Sequence, residues 1–174
     1  MLRMFNLLAI TGLGLVFGVF QSAHAELVFR DTITGNALDL SLVKPGPDTE
    51  AVKHFKETGE NKYLGDADAA KQGGEIFLTA CSGCHGHEAE GKLGPALRDD
   101  YWTYPKNKTD KGLFETIYNG ANSMMGPQHK QLTIDEMLHI ISWIRSVYIG
   151  DPAKADWLPP DQRTAAQPAP AAAH

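Results

Sequence analysis

Apolar residues recur at helical spacing along two stretches of the chain. Met137, Ile140, Ile141, Ile144 and Tyr148 fall at i, i+3, i+4, i+7 and i+11, the stripe by which an amphipathic helix meets a core. Thr133 followed by Glu136 is the pattern of a capping box at its start, and Gly150 with Pro152 supplies the stop. A second helix is expected from about Ala67, capped by Asp66 or Asp68, with Ile76, Phe77 and Ala80 on its apolar face. Gly73 and Gly74 lie inside it, and each costs about 1 kcal/mol relative to Ala in a helix interior. Either the helix frays there or another element comes close, and Trp143 is placed to pack against the gap left by Gly73 and Phe77.

Elsewhere the pattern is weaker. Leu27 to Arg30 and Ala37 to Val43 read as short extended pieces around Thr34-Gly35-Asn36, Lys44 to Asp48 as a turn, and Ala51 to Glu57 as a short helix stopped at Gly59. Segment 26–65 is expected to wrap the domain of 66–150 rather than fold alone. Gly94-Pro95-Ala96-Leu97 is a tight loop, Tyr101 to Pro105 an aromatic stretch, and Asp110 the expected cap of a helix reaching Tyr118. Segment 151–174 reads as a tail, Pro- and Ala-rich and disordered from Gln167 to His174. At the other end Arg3 precedes an apolar run from Leu7 to Phe20, and Ala23-His24-Ala25 offers small residues for cleavage, so 1–25 reads as a signal peptide. The run is short for a membrane span, with an uncleaved anchor as the alternative, and no stable membrane association is expected after cleavage.

The pattern as a whole is mostly α. The chain has 174 residues with 16 Lys and Arg against 21 Asp and Glu, a formal net charge of −5. Cleavage after Ala25 removes Arg3 and no acid, leaving one ordinary domain that is one unit more negative. Nucleic acid is therefore not an expected partner, since its backbone calls for a basic face. A basic patch on a partner protein is complementary to this surface.

Only two cysteines are present, and both fall in Cys81-Ser82-Gly83-Cys84-His85. Thiols at i and i+3 and an imidazole at i+4 share one face of a helical turn, so one flat group can meet all three. This is the attachment signature of a c-type haem, with Cys81 and Cys84 as thioether sites and His85 as proximal iron ligand. A structural zinc site wants four ligands, a thioredoxin-like pair wants a βαβ context, and a Cys81–Cys84 disulfide leaves His85 unexplained. The sixth iron position needs a donor from downstream: Met124, Met125, His129 or Met137. A Met opposite His raises the reduction potential and suits an electron carrier. Periodicity assigns Met137 to packing. Met124 and Met125 lie together in an irregular loop between Gly120 and Gly126-Pro127, and spacing does not choose between them. Trp102 either lines the haem pocket or belongs to ordinary core.

Taken together, Cys81 to Gly86, Gly94 to Leu97, Tyr101-Trp102-Thr103-Tyr104-Pro105, Gly120 to Pro127 and Leu132 to Arg145 resemble the cytochrome cL family. These are electron acceptors of periplasmic quinoprotein methanol dehydrogenases in methylotrophic bacteria. Val28 to Tyr63 is similar to that family's N-terminal extension. The resemblance implies a class I cytochrome c fold around one covalent haem c, with Cys81 and Cys84 as its thioether sites, His85 as proximal ligand and Met125 rather than Met124 as distal ligand. It implies that the Pro95 carbonyl accepts the His85 ring N–H, and it places Gly73 and Phe77 at a helix crossing, which removes the fraying reading. Ser123 stands where the family loop is expected to carry Gly. A calcium ion near the haem is associated with the family, but no motif here assigns its ligands.

Functionally, the resemblance implies a periplasmic electron-transfer protein, not an enzyme. Its donor would be a PQQ-dependent methanol dehydrogenase, calcium- or lanthanide-dependent, and its acceptor a small class I cytochrome c. The alternatives are a haem subunit fixed to another periplasmic dehydrogenase and a haem sensor or enzyme with a displaceable sixth ligand.

Overall fold

The computed structural model describes residues 27–163, so the signal-peptide reading of 1–25 and the disorder expected from Gln167 to His174 lie outside the described residues. Five helices build the body: α1 (Glu50–Thr58), α2 (Ala67–Ala80), α3 (Ser82–His85), α4 (Asp110–Asn119) and α5 (Ile134–Ser146). Their ends are set by nearby side chains. Thr49 accepts the Val52 N–H at the start of α1, and Gly59, with φ +76°, closes it by donating to the Phe55 carbonyl. Asp66 accepts the N–H groups of Asp68 and Ala69 at the start of α2. Thr133 and Glu136 make both halves of the capping box on α5.

The centre of the fold is the crossing of α2 and α5. A Cβ built on Gly73 would lie 1.9 Å from the His139 carbonyl oxygen, so only a residue without a side chain lets the two backbones meet there. Trp143 packs one residue further along than expected: it covers Gly74, and its ring lies tilted against that of Phe77 with centroids 4.3 Å apart. Met137, Ile140, Ile141 and Ile144 are buried as the stripe requires. Tyr148 is not part of the helix, because α5 ends at Ser146, four residues before Gly150.

Residues 27–65 lie against this core. Phe29, Phe55 and Phe114 form an aromatic cluster with ring separations of 4.8–5.5 Å, Asn61 donates to the Leu138 carbonyl, and Tyr118 donates to the Asp39 carbonyl. The extended pieces expected there reduce to one antiparallel bridge between Arg30 and Ala37, followed by a 3-10 turn at Leu40–Leu42. Asp110 is not the cap of α4. Thr109 caps it by accepting the Gly112 N–H, which leaves Asp110 on the first turn, buried and paired with Arg145 at 3.1 Å. Residues 151–163 are ordered against the body: a 3-10 turn at Pro152–Lys154 leads to Trp157 and a last short helix, α6 (Pro160–Arg163).

Candidate functional site

A cavity of about 460 Å³ opens between α2, α4, α5 and the loops of 93–104 and 121–128. Its inner walls are apolar, formed by Phe77, Leu97, Leu113, Ile117, Ile140 and Ile144. Cys81, Cys84 and His85 all line it. They share a wall because the helical hydrogen bonds run on through the junction of α2 and α3: Cys81 donates to the Phe77 carbonyl at 2.8 Å and His85 to the Cys81 carbonyl at 3.0 Å. Both thiols are free, and burial pushes the Cys81 thiol up to about 11. Among the described residues no group of three or more His, Cys, Asp and Glu could hold a metal ion. The zinc reading therefore has no ligand set among these residues.

The His85 ring is held from behind. Its Nδ1 lies 2.9 Å from the Pro95 carbonyl oxygen, which fixes Nδ1 as the protonated nitrogen and leaves Nε2 as the free donor. Gly94 lets the loop pass against the ring, since a Cβ there would lie 2.7 Å from His85 Cε1.

Of the four downstream donors, only Met124 and Met125 line the cavity. Met137 is fully buried in the core. His129 is buried elsewhere, stacked on Tyr118 at 4.8 Å with its Nδ1 3.0 Å from the Tyr118 carbonyl oxygen. Met124 is 71% exposed, whereas Met125 is half-buried and packed on the core. The loop that carries them closes on itself: Ala121 donates to the Met125 carbonyl at 2.9 Å, over Gly120 at φ +82°, where a Cβ would lie 2.4 Å from the same oxygen. The Tyr104 hydroxyl accepts the Asn122 N–H at 3.1 Å and ties the aromatic stretch to this loop. Ser123 takes φ +74°, a left-handed conformation that suits Gly and strains Ser.

Trp102 answers to both earlier readings, since it is buried in the core and also faces the cavity. Behind it sits Arg145. Its Nε donates to Asp110, its Nη2 donates to the Asn107 carbonyl at 2.8 Å, and its guanidinium lies 5.1 Å from the Trp102 ring and 3.8 Å from the Trp157 ring. Burial pushes the Asp110 carboxyl up and the Arg145 guanidinium down, and their mutual attraction opposes both shifts. Arg145 Nη1 is the one buried side-chain polar atom without a hydrogen-bond partner among the described residues. Sequence reasoning assigned no role to Arg145 and Trp157, which are 12 positions apart in a chain whose end was read as a tail. Tyr104 was visible as part of an aromatic stretch, but nothing local pointed to its contact with Asn122.

No helix among the described residues is long and apolar enough to cross a membrane. The family described as cytochrome c oxidase, cbb3-type, subunit III matches residues 68–144. Cytochrome c-L of Methylorubrum extorquens is 57% identical over 143 residues, which cover 82% of this chain and 73% of that protein. The crystal structure of cytochrome cL from the marine methylotroph Methylophaga aminisulfidivorans is 64% identical, with a TM-score of 0.79 over 83% of this chain and 96% of that one. The crystal structure of cytochrome cL from Hyphomicrobium denitrificans is 54% identical, with a TM-score of 0.77 over 83% and 87% of the two chains.

Proposed function

The chain belongs to the cytochrome c-L family, and on that premise we propose that it is a periplasmic electron carrier taking single electrons from a PQQ-dependent methanol dehydrogenase and passing them to a small class I cytochrome c. Its relatives are electron-transfer proteins rather than enzymes, and membership implies a covalently bound haem c. One observation carries the reading: two free thiols, an oriented imidazole and a half-buried thioether all line a single apolar cavity. That donor set fits a haem c and no other group considered above.

When bound, the haem supplies one-electron exchange between ferric and ferrous iron. The chain does the rest. Cys81 and Cys84 would tether the group, and His85 would offer Nε2 to the iron because Pro95 holds Nδ1. Met125, which lines the same cavity, would offer its sulfur to the iron, and a weakly donating thioether would favour the reduced state. Trp102 and the apolar side chains exclude water. Were His85 and Met125 both to hold the iron, no coordination site would remain for a reactant, which would suit a carrier and not a catalyst.

Docking is expected to be brief, since redox encounters bury less than about 1,200 Å² in total. The acidic surplus would steer approach to a basic surface, so the rate of reduction should fall as salt is added. The test is anaerobic mixing of the purified oxidised holoprotein with methanol and either the calcium- or the lanthanide-dependent dehydrogenase. Rapid appearance of the ferrous spectrum with one of them supports the proposal. No reduction by either removes the donor, and a colourless protein after expression with haem-ligation machinery removes the haem.

A further inference from the structure

The segment after α5 is more than a connector. It lies outside the matched family region of 68–144, and it is pinned to the loop that carries Trp102. Asp100 is the pin: its Oδ1 accepts the Tyr148 hydroxyl at 2.5 Å and the Asp151 N–H at 2.7 Å, while its Oδ2 accepts Lys154 Nζ at 2.8 Å. Ile149 also donates to the Arg98 carbonyl at 2.7 Å. From this anchor the chain reaches Trp157, whose ring meets Tyr148 edge-on at 4.8 Å and Trp102 edge-on at 6.3 Å. The Arg145 guanidinium is held between the two tryptophans, almost completely buried, directly behind the wall of the cavity.

We propose that Tyr148–Trp157 is a strap that covers Arg145 and biases the iron toward the reduced state, with Trp157 as the residue that shields the guanidinium from water. The proposal rests on the haem reading above. Ferric haem carries one more positive charge than ferrous haem, so a guanidinium behind Trp102, whose charge Asp110 at 3.1 Å offsets only in part, disfavours it, and exclusion of water removes the solvation that would stabilise it. Without the Trp157 ring, Arg145 keeps its bonds to Asp110 and to the Asn107 carbonyl, but water reaches the guanidinium, screens its charge and enters behind Trp102, and both changes favour the ferric form.

The experiment compares holoprotein carrying Trp157→Leu, Trp157→Phe or Asp100→Ala with wild type, by equilibrium against a mediator of fixed potential. Trp157→Leu is expected to keep the haem spectrum and the thioether-to-iron band while shifting the ferric-to-ferrous ratio about tenfold toward ferric, which is 59 mV for a one-electron couple. Trp157→Phe should recover most of the shift, and Asp100→Ala, which releases the strap from its other end, should move the ratio the same way. Where Trp157→Leu yields no holoprotein, Asp100→Ala decides alone. An unchanged ratio with an intact spectrum overturns the proposal, as does loss of the thioether band, which would make the strap a support for the ligand instead. A wild-type protein without haem overturns the electron-carrier reading and is thereby distinguished from failure of the strap.

Discussion

Gly73→Ala tests the packing on which the haem cavity depends. The added Cβ would lie 1.9 Å from the His139 carbonyl oxygen and 2.4 Å from its carbon. Ordinary contact begins near 3.4 Å, so α2 and α5 must separate locally by about 1.5 Å. The obstacle is backbone, which has no rotamer to yield. Overpacking of this kind costs about 1–3 kcal/mol, offset by the roughly 1 kcal/mol that Ala gains over Gly in a helix. Separation also loosens the tilted Phe77–Trp143 ring pair at 4.3 Å, worth about 0.5–1.5 kcal/mol beyond its buried area. The upper parts of these ranges give a net loss near 3 kcal/mol, a large share of a total stability of roughly 5–15 kcal/mol. With a urea m-value of about 2 kcal/mol/M, the unfolding midpoint of the holoprotein should fall by about 1.5 M. Gly74→Ala is the control: its Cβ would meet the side chain of Trp143 at 2.8 Å, which can rotate, so its loss should be clearly smaller. Equal midpoints for Gly73→Ala and wild type, or a larger loss for Gly74→Ala, would refute the reasoning.

Met125→Leu should abolish the thioether-to-iron absorption band and lower the reduction potential, while Met124→Leu leaves both unchanged; visible spectra and a redox titration decide, and the reverse pattern would exchange their roles. Ser123→Gly relieves a left-handed backbone at φ +74°, and the relief outweighs the added freedom of the unfolded chain, so stability should rise by up to about 1 kcal/mol, read as a higher temperature for loss of the same band. Asp31 is held down to about 2 by the Asn119 amide and the Thr34 N–H, and Asp100 to about 2 by Lys154 and the Tyr148 hydroxyl. Carboxylates depressed in the folded state stabilise it above their ordinary value of 3.8, and that contribution disappears as pH falls through 2. Urea midpoints should therefore drop over this window, and an Asp31→Asn, Asp100→Asn variant should show a flatter profile; an unchanged slope would count against the assignment.

Much of the architecture was readable locally. Periodicity found α2 and α5, and Thr133 with Glu136 marked a true capping box, because a helix face and a cap depend on residues within a turn of one another. Errors followed where a second local partner competed. Thr109 rather than Asp110 caps α4, and both are reasonable capping residues until Arg145 claims the carboxylate. Trp143 lies over Gly74 instead of Gly73 because the position of a helix crossing is set by both surfaces at once.

By itself the sequence determined that two thiols and an imidazole share one helical face, that two amphipathic helices frame them, and that a methionine pair stands in a loop downstream. The three-dimensional structure decided which methionine is buried against the core, what holds the imidazole, and that the chain after α5 returns to lay Trp157 over Arg145 behind Trp102. The physical reason is separation: a turn of helix is encoded by residues a few positions apart, whereas Arg145 meets Asp110 across 35 positions and Tyr148 meets Asp100 across 48. No short window of sequence contains both members of such a pair.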